Sequence, residues 1–345
     1  MRTFLTAGTA MVALTLGVGA PAFACGALIG PNGAVQLGKT TTLAAYHDGV
    51  EHYITSFEFA GGEGEFGSIV PLPGVPTLVE KGGDWTLQRL VREVTPVQRS
   101  DFAAAPAAAE ADAVVLQQVQ IDALEITILE GGGRAVGDWA RENGFILSPD
   151  VPEALDFYAE RSPIFMAAKF DADAARDRGQ QIGDGTPIHL TIPTDRPWVP
   201  LRILGVGLAP TDIVEADVFL LTDARPNLLP GNVDGVTLAR SEAANDSLIS
   251  DLRSDAGMEW VPDQMWLSYL ELNIPASALT FDLAIDPTGT AVPSAVDAGL
   301  GNVPTAIARA LTVAAHQPGW LPAMIAALIA LALLGAAATT PRSDQ

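Results

Sequence analysis

Cysteine occurs once in this chain, at Cys25. A lone thiol cannot close an intrachain disulfide, so the fold has to rest on a hydrophobic core. Basic residues are scarce: 19 Lys and Arg stand against 41 Asp and Glu, a formal net charge of −22. So acidic a surface repels phosphate backbones, which argues against nucleic acid as a partner. It favours cations or basic partners, and it also keeps an exposed domain soluble. Several catalytic signatures are missing as well. No H-E-x-x-H, G-x-S-x-G or C-x-x-C occurs, so no catalytic residue and no cofactor is nominated by motif.

What is present concentrates at the two ends. Met1-Arg2, an apolar run from Phe4 to Val18, and Ala22-Phe23-Ala24 before Cys25 follow the pattern of a secretory signal with an A-x-A cleavage site between Ala24 and Cys25. Cleavage would leave Cys25 first in the mature chain, the place of a lipidated cysteine. Ala22 and Phe23 depart from the lipoprotein pattern at that site. At the other end, Trp320 precedes eighteen apolar residues, Leu321 to Ala338. A helix of that length covers about 27 Å, enough to cross a bilayer core once. Trp320 suits an interfacial position, and Arg342 in the short tail points that tail inward.

The expected organisation is therefore a signal peptide over 1–24, an extracytoplasmic domain over 25–286 with a candidate subdomain divide near 101–113, a neck and juxtamembrane segment over 287–320, a transmembrane helix over 321–338 and a cytoplasmic tail over 339–345. The body reads as α+β, a mostly antiparallel sheet with helices. Strand-like runs at Thr40–Tyr46 and Glu51–Phe59 flank Asp48-Gly49, a two-residue hairpin turn. Phe66–Leu72 is a third strand, and its prolines place it at a sheet edge. Leu87, Leu90, Val91 and Val94 mark a helix for which Asp84 is the expected N-cap. A β-α-α-β unit follows: a strand at Ala123–Leu129, a helix closed by Asn143-Gly144, a helix from Asp150 burying Val151, Ala154, Leu155 and Tyr158, and a strand at Ile164–Phe170. Further strands are expected at 188–192, 199–208, 214–222, 265–275 and 280–286, with a small helix at 247–252.

Several of these stretches resemble a known family. They are Cys25-Gly26, Phe66-Gly67-Ser68-Ile69-Val70-Pro71-Leu72-Pro73, Thr95-Pro96, Ala140-Arg141-Glu142-Asn143-Gly144-Phe145, Leu155-Asp156-Phe157-Tyr158, and the run from Thr191 through Pro197-Trp198-Val199-Pro200-Leu201-Arg202. Together they resemble the exported bacterial family known as domain of unknown function 2330, over roughly residues 25–286. The resemblance implies a secreted or surface protein, often with a C-terminal span, and carries over no catalytic residue. Two positions depart from the family pattern: Gly30 stands where a second cysteine is common, and Ser68 where tryptophan is common.

The histidines supply the candidate chemistry. With Asp48-Gly49 as the turn, His47 and His52 share one face as diagonal neighbours, about 7 Å apart between Cβ atoms. Such a pair is a candidate transition-metal site that lacks an identified third ligand. An exposed, polar hairpin tip is the plainer reading. His189 alternates with Ile188 and Leu190 and is expected on the polar strand face; His316 lies just before the apolar run. Asp171, Asp173 and Asp177 form an acidic loop without EF-hand spacing, and Asn245-Asp246-Ser247 matches a glycosylation sequon. The expected function is binding or scaffolding at the bacterial envelope, toward an envelope protein or ligand. An envelope hydrolase and a calcium- or metal-dependent surface module are the alternatives.

Overall fold

The computed structural model describes residues 27–29, 40–58, 65–94, 114–179 and 185–301. The signal segment with Ala24 and Cys25, His316 and the apolar run 321–338 lie outside the described residues. Among the described residues, no helix is long and apolar enough to cross a membrane.

In chain order the first strands are β1 (Ala27–Ile29), β2 (Thr40–His47), β3 (Val50–Glu58), β4 (Glu65–Pro71) and β5 (Leu78–Lys81), followed by helix α1 (Thr86–Val94). Next come β6 (Val114–Ile121), β7 (Leu124–Glu130), α2 (Gly133–Glu142), α3 (Val151–Ala159), β8 (Ile164–Asp171) and the short α4 (Ala172–Asp177). The remainder holds β9 (Gly185–Pro193), β10 (Trp198–Val199), β11 (Ile213–Thr222), β12 (Asn227–Leu229), β13 (Val236–Ala243), α5 (Asp246–Arg253), β14 (Trp266–Pro275) and β15 (Leu283–Asp286). A sheet of seven strands runs β13-β14-β11-β2-β3-β9-β5, one of five runs β1-β4-β8-β7-β6, and one of three runs β10-β15-β12. The pairings are antiparallel except that of β11 with β2. The mixed, mostly antiparallel class matches the expectation. Both larger sheets take strands from before and after residues 101–113.

The central strands of the seven-stranded sheet are buried on both faces, and strand alternation sorts their side chains. Leu43, Ala45, Ile54, Phe219 and Leu221 pack under Leu87 and Leu90 of α1 and Leu248 and Leu252 of α5. Ala44, Tyr53, Val218 and Leu220 join the other core, with Ile69, Ile126 and Phe165 of the five-stranded sheet. Thr42, Tyr53 and Val218 from one sheet and Val70 from the other border an intersheet cavity of about 10 Å³. On the far side of the five-stranded sheet α2 and α3 pack together, and Phe145 after α2 sits on Gly67 of β4, where any Cβ would collide with its ring.

Local signals account for many boundaries. Asp48 and Gly49 take φ of 48° and 81°, the left-handed pair that a type I′ hairpin requires. Gly144, with φ 85°, ends α2, and Phe145 N–H closes back on Ala140 O at 2.9 Å. The β-α-α-β unit forms in the expected order, and α3 buries the four expected residues.

Three expectations are corrected. The α1 cap is not Asp84, which is exposed beside Lys81, but Asp255, far along the chain. Residues 199–208 are not one strand: Trp198–Val199 is followed by a 3-10 turn at Arg202–Gly205, with Gly207 at φ 83°. Pro200 has no N–H to continue a ladder. β4 is not an edge strand, since it lies between β1 and β8. Pro71 is tolerated because β1 reaches only Gly67–Ile69, leaving one side of Pro71 unpaired by that strand.

Candidate functional site

The hairpin registers as read from sequence: His47 faces Val50, and Ala45 faces His52. The two imidazoles nevertheless go to different partners. His47 Nδ1 lies 2.7 Å from Asp223 Oδ1 at the exposed end of the hairpin. His52 turns inward, its Nδ1 2.9 Å from His189 Nε2 and its ring stacked on Trp260 at 3.7 Å between centroids and 4° between planes. Among the described residues, no three His, Cys, Asp or Glu side chains are grouped to hold a metal ion.

His189 corrects a further expectation. It shares a face with Thr191, yet it is only 2 % exposed, because the segment around 255–261 covers that face of β9. Periodicity identifies the face and cannot show that a distant loop buries it. His189 Nδ1 lies 3.4 Å from Glu80 Oε1 of β5. Gly257, at φ 76°, brings its backbone so close that a Cβ would stand 3.2 Å from His189 Nδ1 and 3.3 Å from Glu80 Oε1. The chain Glu80···His189···His52 favours one tautomeric arrangement. His189 Nδ1 makes no hydrogen bond, but a hydrogen on it faces the carboxylate and leaves Nε2 to accept from His52 Nδ1–H. Burial pulls His52 down to about 3, with His189 and His47 adding to the effect. Burial likewise pulls His189 down to about 4, and Glu259 opposes it. Both rings are neutral at pH 7.

The fold holds other buried polar centres. Glu51, adjacent in β3 and on the opposite face, is fully buried, and neither carboxyl oxygen has a hydrogen-bond partner. Desolvation pushes it up to about 8, so it is protonated at neutral pH. Asp282 accepts at Oδ1 from Tyr158 Oη (2.7 Å), Leu201 N (2.8 Å) and Arg202 N (3.0 Å), while Arg161 Nη1 stands 3.5 Å from Oδ2. Tyr158 Oη in turn accepts from Ile203 N at 3.0 Å, and Arg161 lies over the Phe157 ring at 3.3 Å. The Phe157-Tyr158 and Leu201-Arg202 stretches thus meet around one carboxylate. Burial raises Asp282 and Tyr158 above their ordinary values.

The remaining candidates are held in local structure. Asp171 caps α4 through bonds from Asp173 N and Ala174 N, and Asp173 pairs with Arg176 at 2.6 Å. Asn245 of the sequon caps α5 by accepting from Leu248 N and donates to Glu93. One pattern was missed by sequence reading. Gly33-Ala34-Val35-Gln36-Leu37-Gly38-Lys39-Thr40 spells a phosphate-loop motif. Thr40 opens the strand β2, where that motif needs a helix N-terminus to receive the phosphates.

No curated protein matches the chain. Solved structures similar to it include the crystal structure of baculovirus P35, 10 % identical with a TM-score of 0.40, covering 73 % of this chain and 97 % of that one. P35 in the caspase-8/P35 complex is 7 % identical with a TM-score of 0.35, covering 72 % and 90 %. So loose a likeness says nothing of activity. The model of a bacterial family described as "Uncharacterized protein conserved in bacteria (DUF2330)" matches residues 19–228, a span that includes His52, Glu80 and His189 and stops before Trp260 and Asp282. The chain belongs to this DUF2330 family.

Proposed function

We propose that this protein is a membrane-anchored binding or scaffolding module of the bacterial envelope, held by residues 321–338 with its α+β body outside the cytoplasm. The anchoring half of this reading rests on the signal-like segment 1–24 and the apolar run 321–338.

The binding half rests on one observation: the buried ionisable groups join parts of the fold to one another. His52 and His189 link β3 to β9, Asp255 holds α1, and Asp282 holds α3 against residues 201–203. Such groups make a rigid platform. Its acidic surface and its edges are what it offers to partners. β13 pairs on one side with β14 among the described residues, and Leu238 on it is 43 % exposed. An added strand from a basic partner is the mode that this edge suits.

Crosslinking in intact cells, with a tag on the C-terminal end and mass spectrometry of the captured material, tests the reading. A reproducible envelope partner, lost when residues 25–286 are deleted, supports it. Capture of the same set with and without the body would contradict it.

A further inference from the structure

We infer that residues 255–261 form an acid-released strap, which lifts from the seven-stranded sheet when the His52–His189 pair takes up a second proton.

The strap makes three attachments in seven residues. Asp255 Oδ2 accepts from Thr86 N (2.7 Å), Thr86 Oγ1 (2.7 Å) and Trp85 N (3.2 Å), capping α1. Gly257 sits against His189 and Glu80, and Trp260 stacks flat on His52. Met258 and Val261 enter the core shared with α1 and α5. The middle attachments rest on imidazoles, and the imidazoles rest on one shared hydrogen between His52 Nδ1 and His189 Nε2.

Proton counting shows where this arrangement fails. The neutral pair has one donor and one acceptor at the 2.9 Å contact. A first proton goes to His189, nearest Glu80, whose Nε2–H then donates to His52 Nδ1 while the His52 hydrogen moves to Nε2, and the contact survives. A second has only His52 Nδ1 left to occupy, which sets N–H against N–H and places two charges side by side in a buried site. The charged and titratable groups around the pair are His47 of β2, Glu80 of β5, and Glu259 and Asp255 of the strap. Asp255 is committed to α1, and Arg89 of α1 to Glu93 and Asp251. Glu80 and Glu259 favour the first proton on the pair, and His47 disfavours charge there. None of them offers an acceptor inside the His52–His189 contact, so relief comes by moving the strap that carries Trp260. Because the strap also holds Asp255, its departure removes the cap of α1.

The test uses the full-length wild-type chain. Hydrogen exchange at histidine C2 gives the titration of each ring, and amide exchange, corrected for its intrinsic pH dependence, reports the strap. The expected result is that exchange in 255–261 and the first turn of α1 rises by about tenfold or more between pH 7 and pH 3 while the β11–β14 ladder stays protected. The rise should follow the histidine titrations. If the strap stays as protected as that ladder, or the whole chain loses protection together, the inference is overturned. His189→Gln removes one titrating ring and keeps a hydrogen-bonding side chain. Strap release at an unchanged midpoint in that variant also overturns it. Should the variant not fold, the wild-type comparison of histidine titration with strap exchange decides alone.

Discussion

His52 and His189 stand 137 residues apart in the chain, and their facing ring nitrogens are 2.9 Å apart in the fold. The contact lies across the β3–β9 ladder beneath Trp260, adding a side-chain link to two strands that the backbone already pairs. Replacing His189 with Leu leaves His52 Nδ1–H buried without its acceptor. Equilibrium urea unfolding at neutral pH should show a loss of about 1–3 kcal/mol, the range for an unmade buried hydrogen bond.

Adjacent residues of β3 give the protein opposite pH dependences. His52 and His189 fall from an ordinary 6.5 to about 3 and about 4. Their contribution is therefore complete above about pH 6.5 and is lost as the pH falls toward the folded values. Glu51 rises from 4.5 to about 8, so its contribution is complete below 4.5 and is lost as the pH climbs through 8. Each group changes stability by at most about 1.4 kcal/mol per pH unit inside its window. The E51Q variant should gain on the wild type steadily from pH 5 to pH 8. Chemical denaturation across that range checks the slope, and parallel curves would refute it.

Asp282 is the most consequential single carboxylate. Asp282→Ala removes the acceptor for Tyr158, Leu201 and Arg202 and leaves the buried Arg161 without its counter-charge. A loss of about 3–5 kcal/mol is expected. Asp282→Asn retains an acceptor and should lose less. Thermal unfolding of the two variants side by side measures the difference.

The cap of α1 gives a further pair of tests. Asp255→Ala should cost about 1–2 kcal/mol, as loss of an N-cap does. Gly83→Ala should be at least as harmful, because a Cβ there collides with the Asp255 carboxylate. Asp84→Ala, on an exposed side chain, should change stability little. Helix-region amide exchange distinguishes loss of the cap from a general loss of stability.

These residues also show what was legible in the sequence. Period-two and period-three-to-four patterns placed β2, β3, β7, α2, α3, β8, β11 and β14 near their observed bounds, because each buries a face whose periodicity is local. The Asp48-Gly49 turn was legible because its backbone needs φ above zero. Long-range pairings were not. Nothing near Asp84 announces that the cap comes from Asp255, and nothing near His189 announces Trp260. β13 (Val-Thr-Leu-Ala-Arg-Ser-Glu-Ala) escaped because it is an exposed edge with a bulge between Leu238 and Arg240, which blurs the alternation of apolar and polar residues. His47 and His52 were correctly put on one face, but their partners, Asp223 and His189, lie too far along the chain for spacing to find.

The placement of the body outside the cytoplasm, anchored by 321–338, is the claim on which the functional reading depends. Protease added to spheroplasts that express the full-length chain with a C-terminal tag tests it most directly. The account predicts that the body is digested from outside, while the tag remains in membranes washed with carbonate. A body protected until the cells are lysed, or a tag released by the wash, would contradict it.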